Sequence, residues 1–189
     1  MMETILSAAA AFCATNLDDL LLLTLLFSAA DTAKRRRAIC LGQLLGIGVL
    51  ALGSMAAAAA LRQFLLPYVP FLGIVPIFLG ILALIRLKKQ EENSPDAPAN
   101  LPGLWGVALV TLANGGDNLS VYIPLFAGQT LPRQLVALLV FGGMTLLWCA
   151  LAQLPQQSRR LATALRRVGR FAIPFVLIFL GCAILWGGI

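Results

Sequence analysis

Histidine is absent from the 189 residues, and only 12% of them carry charge. The first absence excludes imidazole ligation of a metal and histidine proton relays. The second, with 60% hydrophobic residues and a mean hydropathy of +0.90, excludes an ordinary soluble domain. The four cysteines, Cys13, Cys40, Cys149 and Cys182, have no CxxC spacing and lie in or beside apolar runs. They read as small hydrophobic residues rather than a disulfide framework or a zinc knuckle. Met1-Met2-Glu3 lacks the basic stretch that opens a cleaved signal peptide, so the first apolar run is expected to be retained.

What is present is apolar length. Six windows emerge, at about Thr4–Ala30, Ala38–Leu61, Tyr68–Leu87, Pro102–Ala127, Arg133–Leu154 and Phe171–Trp186. A membrane-crossing helix takes ~20 such residues, so the composition predicts an all-α polytopic membrane protein with six transmembrane helices. Between the windows lie a basic linker at 31–37, a turn at 62–67, a solvated loop at 88–101, a tight turn at 128–132 and an arginine-rich linker at 155–170. The chain divides into a first repeat (about 4–87), a linker (about 88–101) and a second repeat (about 102–189) within a single transmembrane domain.

Twelve of the 14 basic residues fall on one side of this topology: Lys34 to Arg37, then Arg86, Lys88 and Lys89, then the five arginines from Arg159 to Arg170. Only Arg62 and Arg133 fall on the other. By the positive-inside rule the first side is cytoplasmic and both termini lie outside. The net charge of +6 is then explained by topology and anionic lipid, with no nucleic acid as partner.

Of the eight acidic residues, Asp18, Asp19 and Asp117 alone sit within spans. A carboxylate near the bilayer centre costs roughly 2.5–3.5 kcal/mol on insertion scales, so it needs a partner or a water-filled cavity. The surroundings of the two positions match in form. Thr15, Asp18 and Asp19 fall at i, i+3, i+4, as do Asn114, Asp117 and Asn118, and Phe27 and Phe126 follow at equal distance. On helices each set shares one face, and the two faces are expected to form one site. Ile77-Phe78-Leu79-Gly80 also recurs as Ile178-Phe179-Leu180-Gly181. Three spans per repeat is an odd number, so the second repeat is inserted upside down, the inverted plan of secondary transporters.

Three carboxylates with neutral oxygens suit a divalent cation. Asp18, Asp19 and Asp117 supply charge, while Asn16, Asn114, Asn118 and Thr15 supply amide and hydroxyl oxygens, a hard set fitting Mg²⁺, Ca²⁺ or Mn²⁺. Zn²⁺ or Cd²⁺ would find its nearest soft ligand in Cys13, although packing is the more ordinary role for that thiol. Asp18 and Asp19 project about 100° apart on a helix, so joint chelation needs local unwinding. Gly115-Gly116 is where unwinding is easiest in the second motif. A dication entering crowded carboxylates would displace protons, giving a route to exchange. Thr24, Ser54, Thr145 and Gln153 are expected to bond between helices; Gln43 and Tyr122 could equally face the cavity.

At these residues the sequence resembles the CadD family of cadmium-resistance transporters, within the LysE superfamily of exporters. The segments that carry the resemblance are Ala14 to Leu20, Gly42-Gln43-Leu44-Leu45-Gly46, Leu72 to Ile81, and Ala113 to Asn118 running on to Tyr122-Ile123-Pro124-Leu125-Phe126. They cover the first four spans. The resemblance implies a six-helix plasma-membrane exporter moving Cd²⁺ or a related divalent ion outward, with acidic motifs in helices one and four. The ion is substrate, no cofactor is expected, and a homodimer is compatible with the pattern.

Three other readings compete. A LysE-type exporter of amino acids needs a basic residue for the substrate carboxylate, and no Lys or Arg lies mid-span. An intramembrane aspartyl protease could pair Asp18 or Asp19 with Asp117, but such enzymes have more spans and no inverted repeat. A scaffold without transport would tolerate loss of the aspartates. A divalent-cation exporter, not an enzyme, fits the residues best.

Overall fold

The computed structural model describes residues 1–65, 71–87, 103–154 and 174–186. The expected linkers at 88–101 and 155–170 lie outside the described residues. Helices carry the described chain, and no strand occurs among the described residues. In order they are α1 (Met2–Thr15), α2 (Leu17–Ser28), α3 (Ala33–Leu65), α4 (Ile74–Leu87), α5 (Leu104–Asn114), α6 (Gly116–Ala127), α7 (Leu131–Leu151) and α8 (Pro174–Leu185).

Two of the expected spans are broken. The first window is not one helix: α1 and α2 meet at Asn16 with a bend of 61°. The fourth window is also interrupted, at Gly115 between α5 and α6. α3 and α7 are each long and apolar enough to cross a membrane, and α1 with α2 makes a third span if the bent pair is taken together. Phe71–Leu82, Leu104–Asn114 and Pro174–Leu185 are shorter apolar segments.

The expected linker at 31–37 is mostly helix. α3 starts at Ala33, so Lys34 to Arg37 form its first turns, and Arg62 lies in its last turn rather than in a loop. Lys and Arg are good helix formers, although positive charge opposes the dipole at a helix start. Local contacts offset this. The Thr32 hydroxyl accepts the Arg35 N–H at 3.3 Å, and Asp31 pairs with Arg35 at 3.0 Å. Arg36 reaches back to the Ala30 carbonyl in the connection between α2 and α3.

α3 is the central helix. It packs on α5, α6 and α7, while α1 packs on α7 and α6. Its inward face mixes polar and small residues (Gln43, Gly46, Ser54, Ala58) with Ile39, Ile47 and Leu50, and its outward face is apolar too (Leu41, Leu45, Val49, Leu52). An apolar exterior of this kind suits a lipid environment. Gly42 and Gly46, one turn apart, let α5 come close. A Cβ at Gly42 would stand 2.5 Å from the Leu104 carbonyl oxygen, and one at Gly46 would stand 2.7 Å from Thr111 Cβ. This is the small-xxx-small contact of membrane helices.

α4 and α8 cross equally closely and reciprocally. Gly73 abuts Gly181, and Gly80 abuts Pro174; Ile77 meets Gly181, and Ile178 meets Gly80. Each contact pairs an early residue of one helix with a late residue of the other, so the two run antiparallel.

Because backbone atoms face Gly42, a side chain there must push α5 away. Gly42→Leu is expected to lower thermal stability in detergent by roughly 1–3 kcal/mol or more, the range for overpacking. Gly53→Leu, which meets open space, should leave stability unchanged. Equal effects would contradict the close approach.

Candidate functional site

The site is built around Asn16. Asparagine competes with helical hydrogen bonding through its own side chain and so favours helix ends. Here it caps α1 and opens α2 at φ −112°, ψ 20°. Its backbone N–H donates to the Phe12 carbonyl at 3.0 Å, and its carbonyl accepts from Leu20 N–H at 3.1 Å and Trp148 Nε1 at 2.7 Å. The side-chain Nδ2 stands 2.7 Å from the Tyr122 hydroxyl, 2.8 Å from Thr15 Oγ1 and 3.1 Å from Asn118 Oδ1. The two sequence motifs therefore touch, across the Asn16–Asn118 hydrogen bond. Asn16 Oδ1 is buried with no hydrogen-bond partner.

Asp19 belongs to a neighbouring chain of bonds. Buried at 2% exposure, it accepts from Gln43 Nε2 at 2.6 Å, and Gln43 Oε1 accepts from the Thr111 hydroxyl at 2.7 Å. This chain joins α2, α3 and α5. Asp117 is half-buried in the first turn of α6, where its Oδ1 accepts the Asn118 N–H at 2.8 Å. Asp18 is exposed, within electrostatic reach of both Asp19 and Asp117. Among the described residues no three His, Cys, Asp or Glu side chains are grouped closely enough to hold one ion.

The breaks explain this placement. Thr15 ends α1, whereas Asp18 and Asp19 start α2, so the expected shared helical face does not exist. Asn114 likewise ends α5 and is exposed, while Asp117 and Asn118 start α6. All three aspartates sit in a helix's first turn, where the dipole favours a carboxylate by roughly 0.3–1 kcal/mol. Each break also frees the last carbonyls of the preceding helix, and those are oxygens of the kind a cation takes.

Aromatic rings close one side. Tyr122 stacks on Phe141 at 4.3 Å, and Phe12 meets Trp148 edge-on at 5.4 Å. Thr111 and Trp148 were not singled out from sequence. Thr111 precedes Asn114 by one turn and so extends the polar side of α5; nothing in the sequence marks Trp148 as the partner of a broken backbone. Cys13 is half-buried and packs against the hydrophobic core.

The hydroxyls expected to bond between helices bond instead within their own. Thr24 donates to Leu20, Ser54 to Leu50 and Thr145 to Phe141, each to the i−4 carbonyl. That acceptor is one turn away and always present in a helix. Gln153 does both, donating to the Cys149 carbonyl and accepting from Arg36 across helices.

The family model described as "Cadmium resistance transporter" matches residues 12–188. The chain belongs to the cadmium resistance transporter family. The match includes both helix breaks, at Asn16 and Gly115, and nearly all of the chain. Apolar helices and a transporter family together identify a membrane protein. No curated protein and no solved structure matches the chain.

Gln43 links Asp19 to Thr111, so Gln43→Leu strands a buried acid, while the Thr111 hydroxyl keeps the Val107 carbonyl at 3.1 Å. We expect it to cost about 1–3 kcal/mol in detergent unfolding. Thr111→Val removes only the outer link and is expected to cost about 1 kcal/mol or less. The reverse order would contradict the chain of bonds.

Proposed function

We propose that this cadmium resistance transporter exports a divalent metal cation from the cytoplasm across the plasma membrane, by alternating access between two inverted three-helix repeats. The observation that carries the reading is the meeting of two broken helices at an acidic junction. There, Asn16 keeps a buried oxygen without a donor, beside carboxylates that open α2 and α6. Broken helices with polar ends at mid-membrane are how secondary transporters bind ions.

The inverted-repeat part draws support from the pairing of elements. α2 and α6 are both 12 residues long and follow their breaks at equivalent motif positions. Leu20 N–H bonds to the Asn16 carbonyl as Leu119 N–H bonds to the Gly115 carbonyl. Packing is exchanged between halves, with α3 against α5 and α7 against α1. The reciprocal α4–α8 crossing is what a two-fold axis between repeats produces.

In this reading Asp18, Asp19 and Asp117 bind the ion, and Asn16, Asn114, Asn118 and Thr15 complete or orient the shell. Rotating the Asn16 amide would bring its oxygen to the ion and release Asn118 and Tyr122. That couples binding on one repeat to contacts with the other. Protons held by the carboxylates leave as the dication enters, so export would run in exchange for protons. The protease alternative gains nothing, because Asp19 is engaged by Gln43 and Asp117 by the Asn118 N–H.

The test is flux in proteoliposomes carrying a metal-sensitive dye, run with Mg²⁺, Mn²⁺, Zn²⁺ and Cd²⁺. Wild type should transport at least one of them, and Asp19→Asn or Asp117→Asn should slow it at least about tenfold, the effect of losing ~1.4 kcal/mol of ion binding. No flux for any ion, or flux indifferent to both substitutions, would overturn the proposal.

A further inference from the structure

The carboxylate junction is an oxygen site, yet the family is one of cadmium resistance. Cd²⁺ is a soft ion that prefers thiolate. The structure places two thiols together outside the junction. Cys40 on α3 and Cys149 on α7 lie close enough to interact where these two helices pack. Cys149 is buried at 2% exposure and Cys40 is half-buried. They come from different repeats, 109 positions apart in the chain, and no sequence spacing announces them.

Their position is more telling than their contact. Four residues before Cys40 stands Arg36, and four residues after Cys149 stands Gln153; these two also touch, Arg36 donating to Gln153 Oε1 at 3.5 Å. α3 and α7 thus run antiparallel here, with the thiols one turn inward from the basic helix start. In the other direction, Cys40 lies three residues before Gln43, the partner of Asp19. That is a rise of about 4.5 Å along the helix. Cys149 directly follows Trp148, whose indole holds the Asn16 carbonyl. The pair therefore lies between the basic end of the bundle and the acidic junction, one step from both halves of the latter.

We propose that Cys40 and Cys149 form a soft-metal site that takes up a thiophilic divalent cation such as Cd²⁺ ahead of the carboxylate junction. It rests on the exporter reading for its place in the pathway, and on the thiol contact for its chemistry. Two S–H groups each lose a proton, two S–Cd bonds form, and two protons pass to the medium. The product carries no net charge, since a dication meets two thiolates, and so it is tolerated in an apolar setting where a bare ion is not. A hard ion such as Mg²⁺ gains little from sulfur, so the pair would supply the selectivity that the oxygen ligands lack.

The experiment is titration of Cd²⁺ chloride into the purified full-length protein, following the thiolate-to-cadmium charge-transfer band in the ultraviolet and proton release. A saturable band should appear in wild type and persist in the Cys13→Ser/Cys182→Ser double variant. It should be lost in Cys40→Ser and in Cys149→Ser. No band in wild type, a band that survives either single substitution, or its loss in the double variant would overturn the proposal. The double variant decides the matter even if the single variants fail to fold. Cd²⁺ flux that depends on the carboxylates without any band would remove the thiol site alone. A band in a protein that transports nothing would remove the exporter reading and leave the thiol site standing.

Discussion

The structure depends on satisfying one interrupted backbone inside an apolar bundle. A break in a membrane helix frees N–H and C=O groups that lipid cannot serve, so protein groups must. At Asn16 they do so from three directions. Leu20 and Trp148 take the carbonyl, Phe12 takes the N–H, and the side-chain amide reaches Tyr122, Thr15 and Asn118. Because these partners come from α6 and α7 as well as α1 and α2, the break also joins the two halves of the chain. The aspartates follow from it: once α2 starts afresh after Asn16, Asp18 and Asp19 occupy the turn where a carboxylate is best tolerated.

Glycine supplies the second constraint. The polar chain from Asp19 through Gln43 to Thr111 closes only if α3 and α5 nearly touch, and Gly42 and Gly46 permit that. The same economy governs α4 and α8, where Gly73, Gly80 and Gly181 let backbones meet. Close backbone approach and side-chain hydrogen bonds are the forces left to a membrane bundle once lipid removes the hydrophobic drive between helices. An apolar exterior on α3 and α7 completes the picture.

Much of this was legible in the residues. The apolar windows, the echo of Asp18-Asp19 in Asp117-Asn118, and the ease of unwinding at Gly115-Gly116 all follow from hydropathy and backbone freedom. The break at Asn16 was not legible, because Asn within Leu-rich sequence reads as a polar point on a continuous helix. It becomes a helix end only when Trp148, distant in sequence, accepts the task of holding its carbonyl. Lys34 to Arg37 read as linker because charge usually marks solvent, yet their helix propensity and the Thr32 and Asp31 contacts extend α3 through them. The thiol contact of Cys40 with Cys149 was hidden for the reason that hides most long-range contacts: only packing of α3 on α7 brings them together.

The proposed ion-binding junction draws carboxylates from both halves of the chain, Asp18 and Asp19 on α2 and Asp117 on α6. Calorimetric titration of purified protein with Cd²⁺ and Mn²⁺, comparing wild type with Asp18→Asn and Asp117→Asn, tests this most directly. A shared junction requires that a saturable heat disappear in both variants, although one residue belongs to α2 and the other to α6. Binding abolished in one variant and intact in the other, or intact in both, would contradict it.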